Sequence, residues 1–197
     1  MNRPNNCRRL SPGSALVDAR ANMIHRKEEG RFLPGFRYHG EARAPRPNVM
    51  KVAIASDHGG VRIREEIKAL LDEMGIEYTD FGCDCETSVD YPDYALPVAE
   101  KVARGEFDRG ILICGTGIGM TIAANKVKGV RCALCHDVYS AKLTRMHNDS
   151  NILAMGERVI GPGLAREIAK AWLETEFEGG RHARRIGKIA DYENKHL

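Results

Sequence analysis

The chain has 197 residues, 43% of them hydrophobic and 29% charged, an ordinary globular composition long enough to bury a core without disulfide support. Its net charge of +3 is uneven: residues 1–49 hold ten basic and four acidic side chains and the remainder carries −3, which argues against a nucleic-acid surface spread over the fold. No run approaches the roughly 18 apolar residues of a membrane span and no secretory signal is visible, so the six cysteines read as reduced thiols of a cytoplasmic protein.

Residues 1–49 show no sustained apolar period, and stretches such as PGFRYHGEARAPRPN read as a disordered basic extension. Two alternatives stay open for it: a targeting peptide, or a start codon properly at Met50. From Met50 to Leu197 the pattern is that of one domain. KVAIAS is a buried strand. The next stretch carries Val61, Ile63, Ile67, Leu70, Leu71 and Met74 at helical spacing, with Gly75 as its stop. IEYTDFG is a second strand, and a helix then runs from Pro92 to Gly105. RGILIC is a third strand, followed by a short helix in GMTIAANKV. VRCALC is a fourth strand, DVYSAKLTRMHN a helix and NILAMG a fifth strand. GPGLAREIAKAWLETEF and RHARRIGKIADYENKHL complete the chain as two helices.

Five alternations of strand and helix predict an α/β fold: a flavodoxin-like, Rossmann-like three-layer sandwich with a five-stranded parallel sheet, helices on both faces and a C-terminal helix. The expected strand order is 2-1-3-4-5. Such a sheet reverses direction between strands 1 and 3, and ligands bind there, outside the carboxyl ends of the strands. That rule brings Ser56-Asp57-His58-Gly59-Gly60 opposite Cys114-Gly115-Thr116-Gly117-Ile118-Gly119.

Alternating glycines admit close approach of a ligand, and amides at a following helix start hold an anion, either a phosphate or an enediolate formed in reaction. A dinucleotide fold is one rival, but its G-x-G-x-x-G fingerprint needs glycine where Met120 stands, although Asp137 lies near the spacing of its acidic residue. Metal binding by the CDC and CALC thiols with His136 is another. Cys132 and Cys135 stand an odd number apart on a strand and would face opposite ways, whereas structural zinc needs four converging ligands. A cysteine at a strand end is most often a small buried hydrophobe. Cys114, however, abuts an anion-binding turn, where amide dipoles favour a thiolate. Asp57 could be a helix cap, His147-Asn148 could simply end a helix, and the arginines near residue 181 could be solvated. Arg181 and Arg185 stand four apart and share a helical face, an arrangement suited to phosphate.

SDHGG, DYPDYA, ILICGTGIGMTIAANKVKGVRCAL, YSAKLTRMHNDSNILAMGERVIG and FEGGRHARRI, in that order, make residues 50–197 resemble type B ribose-5-phosphate isomerase. The resemblance implies an enzyme of the pentose phosphate pathway that interconverts ribose 5-phosphate and ribulose 5-phosphate through a cis-enediolate, with no metal and no cofactor. Some relatives carry a glutamate in the glycine turn where Met120 stands here, so the cysteine subtype is implied. Cys114 would be the base and Thr116 would assist proton transfer at the substrate oxygens. Gly115, Gly117 and Gly119 would hold the enediolate, with Asn148 as an added donor. Asp57 and His147 would help open the furanose, and Tyr91 would border the sugar. His58, Arg181 and Arg185 would grip the phosphate, with Arg158 as a further candidate. The base, the oxyanion hole and the phosphate grip are expected at one edge of the sheet. The family's homodimer or homotetramer, with its active site at the subunit interface, implies that His147, Asn148 and Arg158 serve the neighbouring subunit. Isomerases of six-carbon substrates, allose or galactose 6-phosphate, and a non-catalytic nucleotide-binding module are the alternatives.

Overall fold

The structure, a computed structural model, describes residues 49–84 and 87–196. The expected basic extension thus lies almost wholly outside the described residues. The elements alternate throughout: β1 (Lys51–Ser56), α1 (Val61–Glu73), β2 (Glu77–Asp80), α2 (Pro92–Ala103), β3 (Arg109–Cys114), α3 (Ile118–Ala124), β4 (Cys132–Leu134), α4 (Val138–Asn148), β5 (Ile152–Gly156), α5 (Pro162–Glu174) and α6 (Gly180–His196). Every predicted strand and helix is present. β1 and β3 are buried after their first residue and β5 along its whole length. Continuous apolar runs of this kind suit a parallel sheet covered on both faces.

The sheet is parallel, as expected, but its order is β2-β1-β3-β5-β4 rather than 2-1-3-4-5. β5 pairs with β3 from Gly110↔Ile152 to Cys114↔Gly156 and takes β4 on its other side. The physical reason lies in the two sequences. ILAMG is buried at all five positions and tolerates an interior place, whereas CAL has three residues, two of them half-buried, and suits an edge.

Right-handed crossovers then dictate which face each helix covers. The steps β1 to β2 and β4 to β5 run one way along the sheet, and β2 to β3 and β3 to β4 the other. Accordingly α1, α4 and α5 bury Ile63, Ile67, Ala141, Ile168 and Trp172 in one cluster, and α2 and α3 bury Ala95, Val98, Met120 and Ala123 in another. Cys135 belongs to the first cluster and Cys132 to the second, so the two thiols face opposite ways as the strand period requires. Cys114, Cys132 and Cys135 are free, but Cys83 is disulfide-bonded, against the expectation of reduced thiols. Chain length and cysteine density do not register the pairing of individual thiols. Among the described residues no helix is long and apolar enough to cross a membrane.

Candidate active site

Nine of the thirteen predicted site residues gather where β1, β3 and β5 end. β1 delivers Asp57, which is 7% exposed and accepts the Gly59 amide at 2.8 Å. β3 delivers Cys114, 6% exposed, whose Sγ accepts the Gly117 amide at 3.0 Å. The two turns touch: a Cβ on Gly59 would lie 3.0 Å from the Gly115 nitrogen. Glycine lets the backbones approach this closely without displacing a neighbour. Gly117 has φ +77°, and a Cβ there would also meet the Met155 backbone at 2.9 Å. The turn is therefore built by glycine for a conformation that other residues rarely adopt.

The rim is formed by longer side chains. The Tyr91 ring lies against Gly119, where a Cβ would fall 2.9 Å from its Cζ. The Arg158 side chain lies over Gly115, and its amide donates to the Gly115 carbonyl at 3.0 Å. Arg158 thus belongs to the crevice of its own chain, against the expectation that it serves a neighbour. Thr116 is exposed on the turn, with its hydroxyl 3.4 Å from the Ile118 nitrogen. His58 accepts the Val89 amide on Nδ1 at 3.2 Å. In the neutral ring the proton therefore sits on Nε2, which is left as a donor. His58, Arg62, Asp84, Glu157 and Arg158 line a cleft of about 560 Å³.

Two residues here were not singled out for the site by sequence. Glu157 follows β5 and occupies the start of α1, accepting from the Ile63 amide (3.1 Å) and Arg62 Nε (3.0 Å). A carboxylate at that helix start satisfies its positive end, which is then closed to a phosphate. His136 follows β4 and lies 3.3 Å from the Thr116 carbonyl; a carbonyl only accepts, so Nε2 carries the proton. Both residues follow strand ends, which was the available signal. Their contacts depend on the true place of β5, beside β3.

The other four predicted residues lie elsewhere. α4 runs back from the carboxyl edge of β4 to the amino edge of β5, about 16 Å of helix for eleven residues. His147 and Asn148 end it, at the opposite edge of the sheet from Cys114. Asp149 caps the helix in a left-handed conformation (φ 46°), held by Arg145 at 2.7 Å and Arg131 at 2.9 Å. Arg131 Nε also donates to the Asn148 carbonyl at 2.9 Å. The turn into α6 docks beside this end, where the Glu178 amide donates to the Met146 carbonyl at 3.0 Å. Arg181 and Arg185, both exposed, lie on the first turns of α6. The expectation of a single edge is thus corrected. Base and glycine turn sit at one edge, and His147, Asn148, Arg181 and Arg185 at the other, because a helix returning between parallel strands must end on the far side.

Burial pushes the Cys132 and Cys135 thiols up to about 12, so both are protonated at neutral pH.

A free thiol beside a glycine turn at the switch point of a parallel sheet is the ligand-binding position of a doubly wound α/β protein. Residues 52–189 match the ribose/galactose isomerase family, and the chain belongs to that family. A putative sugar phosphate isomerase of Bacillus subtilis is 78% identical over 149 residues, 75% of this chain and 100% of the relative. Ribose-5-phosphate isomerase B of Escherichia coli is 50% identical over 145 residues, 74% of this chain and 97% of the relative. Among solved structures, Clostridium thermocellum ribose-5-phosphate isomerase B superposes with a TM-score of 0.74 at 55% identity, covering 75% of this chain and 100% of that one. Mycoplasma genitalium ribose-5-phosphate isomerase B with bound ribulose-5-phosphate gives 0.72 at 41% identity, covering 74% of this chain and 97% of that one.

Proposed function

We propose that residues 50–197 form a cofactor-independent isomerase of ribose 5-phosphate and ribulose 5-phosphate. It works in the cytoplasm, where charged sugar phosphates are retained, and residues 1–49 are an extension outside the isomerase domain. The observation that carries the reading is Cys114 beside the glycine turn at the mouth of β3. Asp57, with the partner subunit's His147, moves the hydroxyl proton of C1 to the ring oxygen and opens the furanose. Cys114 as thiolate takes the C2 proton, the electron pair becomes the C1–C2 double bond, and O1 becomes an oxyanion held by the turn amides. Thr116 helps transfer the O2 proton to O1 while the sulfur returns its proton to C1, leaving the ketone at C2. His58 and Arg158 of the same chain, with the partner subunit's Arg181 and Arg185, hold the phosphate. Asn148 of the partner subunit donates to the enediolate, and Tyr91 borders the sugar. The separation of the two residue sets supports a homodimer, or a homotetramer of such pairs, because one chain alone leaves each crevice half furnished.

A different chain length is the second reading. A D-erythrulose-4-phosphate isomerase of Pectobacterium atrosepticum is 45% identical over 149 residues, so a four-carbon substrate joins allose and galactose 6-phosphate as an alternative. Turnover of all four sugar phosphates by chelator-treated full-length protein, with Cys114→Ala as control, decides. Cysteine-dependent turnover that favours ribose 5-phosphate is expected. Preference for another sugar replaces the substrate, and cysteine-independent turnover or retention of a mononucleotide without isomerisation contradicts the mechanism.

A further inference from the structure

One cluster outside the crevice joins the end of α4 to the start of α6. The His147 and His182 rings stack with centroids 4.2 Å apart and planes 1° from parallel. Glu178 Oε2 lies 3.8 Å from His147 Nε2 and 3.5 Å from His182 Nε2. His182 is 5% exposed, although α6 is otherwise largely open to solvent.

Two histidines and a carboxylate this close invite a metal reading. The geometry opposes it. Imidazole binds a metal along its nitrogen lone pair, in the plane of the ring, at roughly 2.0–2.1 Å for zinc. Parallel rings 4.2 Å apart present lone pairs that do not converge. Arg181 Nε also lies 3.3 Å from His182 Nε2, a cation already at the nitrogen a metal would need.

The contacts instead divide the two rings by protonation. Arg181 can only donate, so His182 Nε2 accepts and that ring is neutral. Burial, then His147 and Arg181, hold His182 below the usual histidine range, Arg185 acts the same way, and Glu178 opposes them. Two stacked rings do not both carry charge at this separation. Glu178 Oε2 faces the Nε2 edge of the His147 ring at 3.8 Å and favours an N–H on that edge.

We propose that His182 and Glu178 are positioning residues for His147: the stack fixes the plane of its ring, and the carboxylate fixes which edge carries the proton that opens the furanose in the partner's crevice. The inference rests on the isomerase reading above and deepens it. Ribulose 5-phosphate offers a direction that does not need this group. Its C5 oxygen is esterified and its carbonyl is at C2, so it cannot close a furanose and enters the site open. Ribose 5-phosphate closes through O4 and must be opened first.

The experiment measures turnover in both directions for full-length wild type, His182→Ala and Glu178→Gln. Each variant is expected to lower kcat on the aldose about tenfold or more, with the aldose KM falling in parallel as the fixed equilibrium constant requires, while kcat on the ketose stays within about twofold of wild type. Equal loss in both directions, or no loss in either, overturns the inference. Glu178 is exposed and its backbone bond to Met146 survives in Glu178→Gln, so that variant alone decides if His182→Ala fails to fold. A wild type silent in both directions removes the isomerase reading and this inference together.

Discussion

Cys114 combines burial with an amide directed at its sulfur, and only glycine lets the turn behind it close. A base placed against the reacting carbon gains from position as much as from strength. Cys114→Ala is accordingly expected to lower kcat about a thousandfold or more while calorimetric substrate affinity stays within a few-fold. Unchanged turnover would remove the cysteine from the chemistry. On the proposed reading Arg185 grips the phosphate, a group that does not change during reaction, so Arg185→Ala should raise KM and leave kcat largely intact. An unchanged KM would take it out of the phosphate site. At this scale much was legible, because strand ends, glycine runs and cysteine carry local signals. Glu157 and His136 were not, since each acts through a backbone group distant in sequence, on Ile63 and Thr116 respectively.

The element that carries His147 and Asn148 is α4. Its last turn is pinned by Asp149, the one non-glycine residue with positive φ among those described. Left-handed backbone costs roughly 1–2 kcal/mol outside glycine, and Asp149 offsets it through Arg145, a guanidinium only 1% exposed that also donates to the Ser150 carbonyl at 2.6 Å. Asp149→Ala leaves that buried charge without its carboxylate and should cost about 3 kcal/mol or more in urea unfolding. Asparagine, which tolerates the backbone, should cost less than alanine; equal values would show that backbone strain is not involved. The start of α6 adds a pH dependence. The folded His182 sits below its usual value of 6.5, so the unfolded chain binds more protons in that window. Stability should fall as pH drops below about 6.5 toward the lower folded value, and His182→Ala should flatten that slope. The helices and strands were all legible from period and from Gly75, Pro92 and Pro162. The order of β4 and β5 was not, because adjacency in sequence favours neighbours in the sheet. Only the full burial of ILAMG against the short, half-buried CAL reverses it.

On the scale of the whole molecule, the proposed site residues are divided between two edges of one sheet. The sequence places Cys114 and Arg185 on recognisable elements but carries no local sign of which edge each occupies. That follows only from the direction in which a helix returns between parallel strands. On the proposed reading such a chain completes its crevice with a second copy, related by a closed symmetry that uses the same residues on both sides. Mixing variants tests this directly: Cys114→Ala and the double variant Arg181→Ala with Arg185→Ala are co-expressed in equal amounts, each nearly inactive alone at low substrate. In the mixed dimer one crevice carries both defects and the other carries none, so about a quarter of wild-type sites should recover under random pairing. That recovery is what a shared site predicts. Mixed protein no more active than the average of its two parents would place the arginines in the crevice of their own chain and contradict the account.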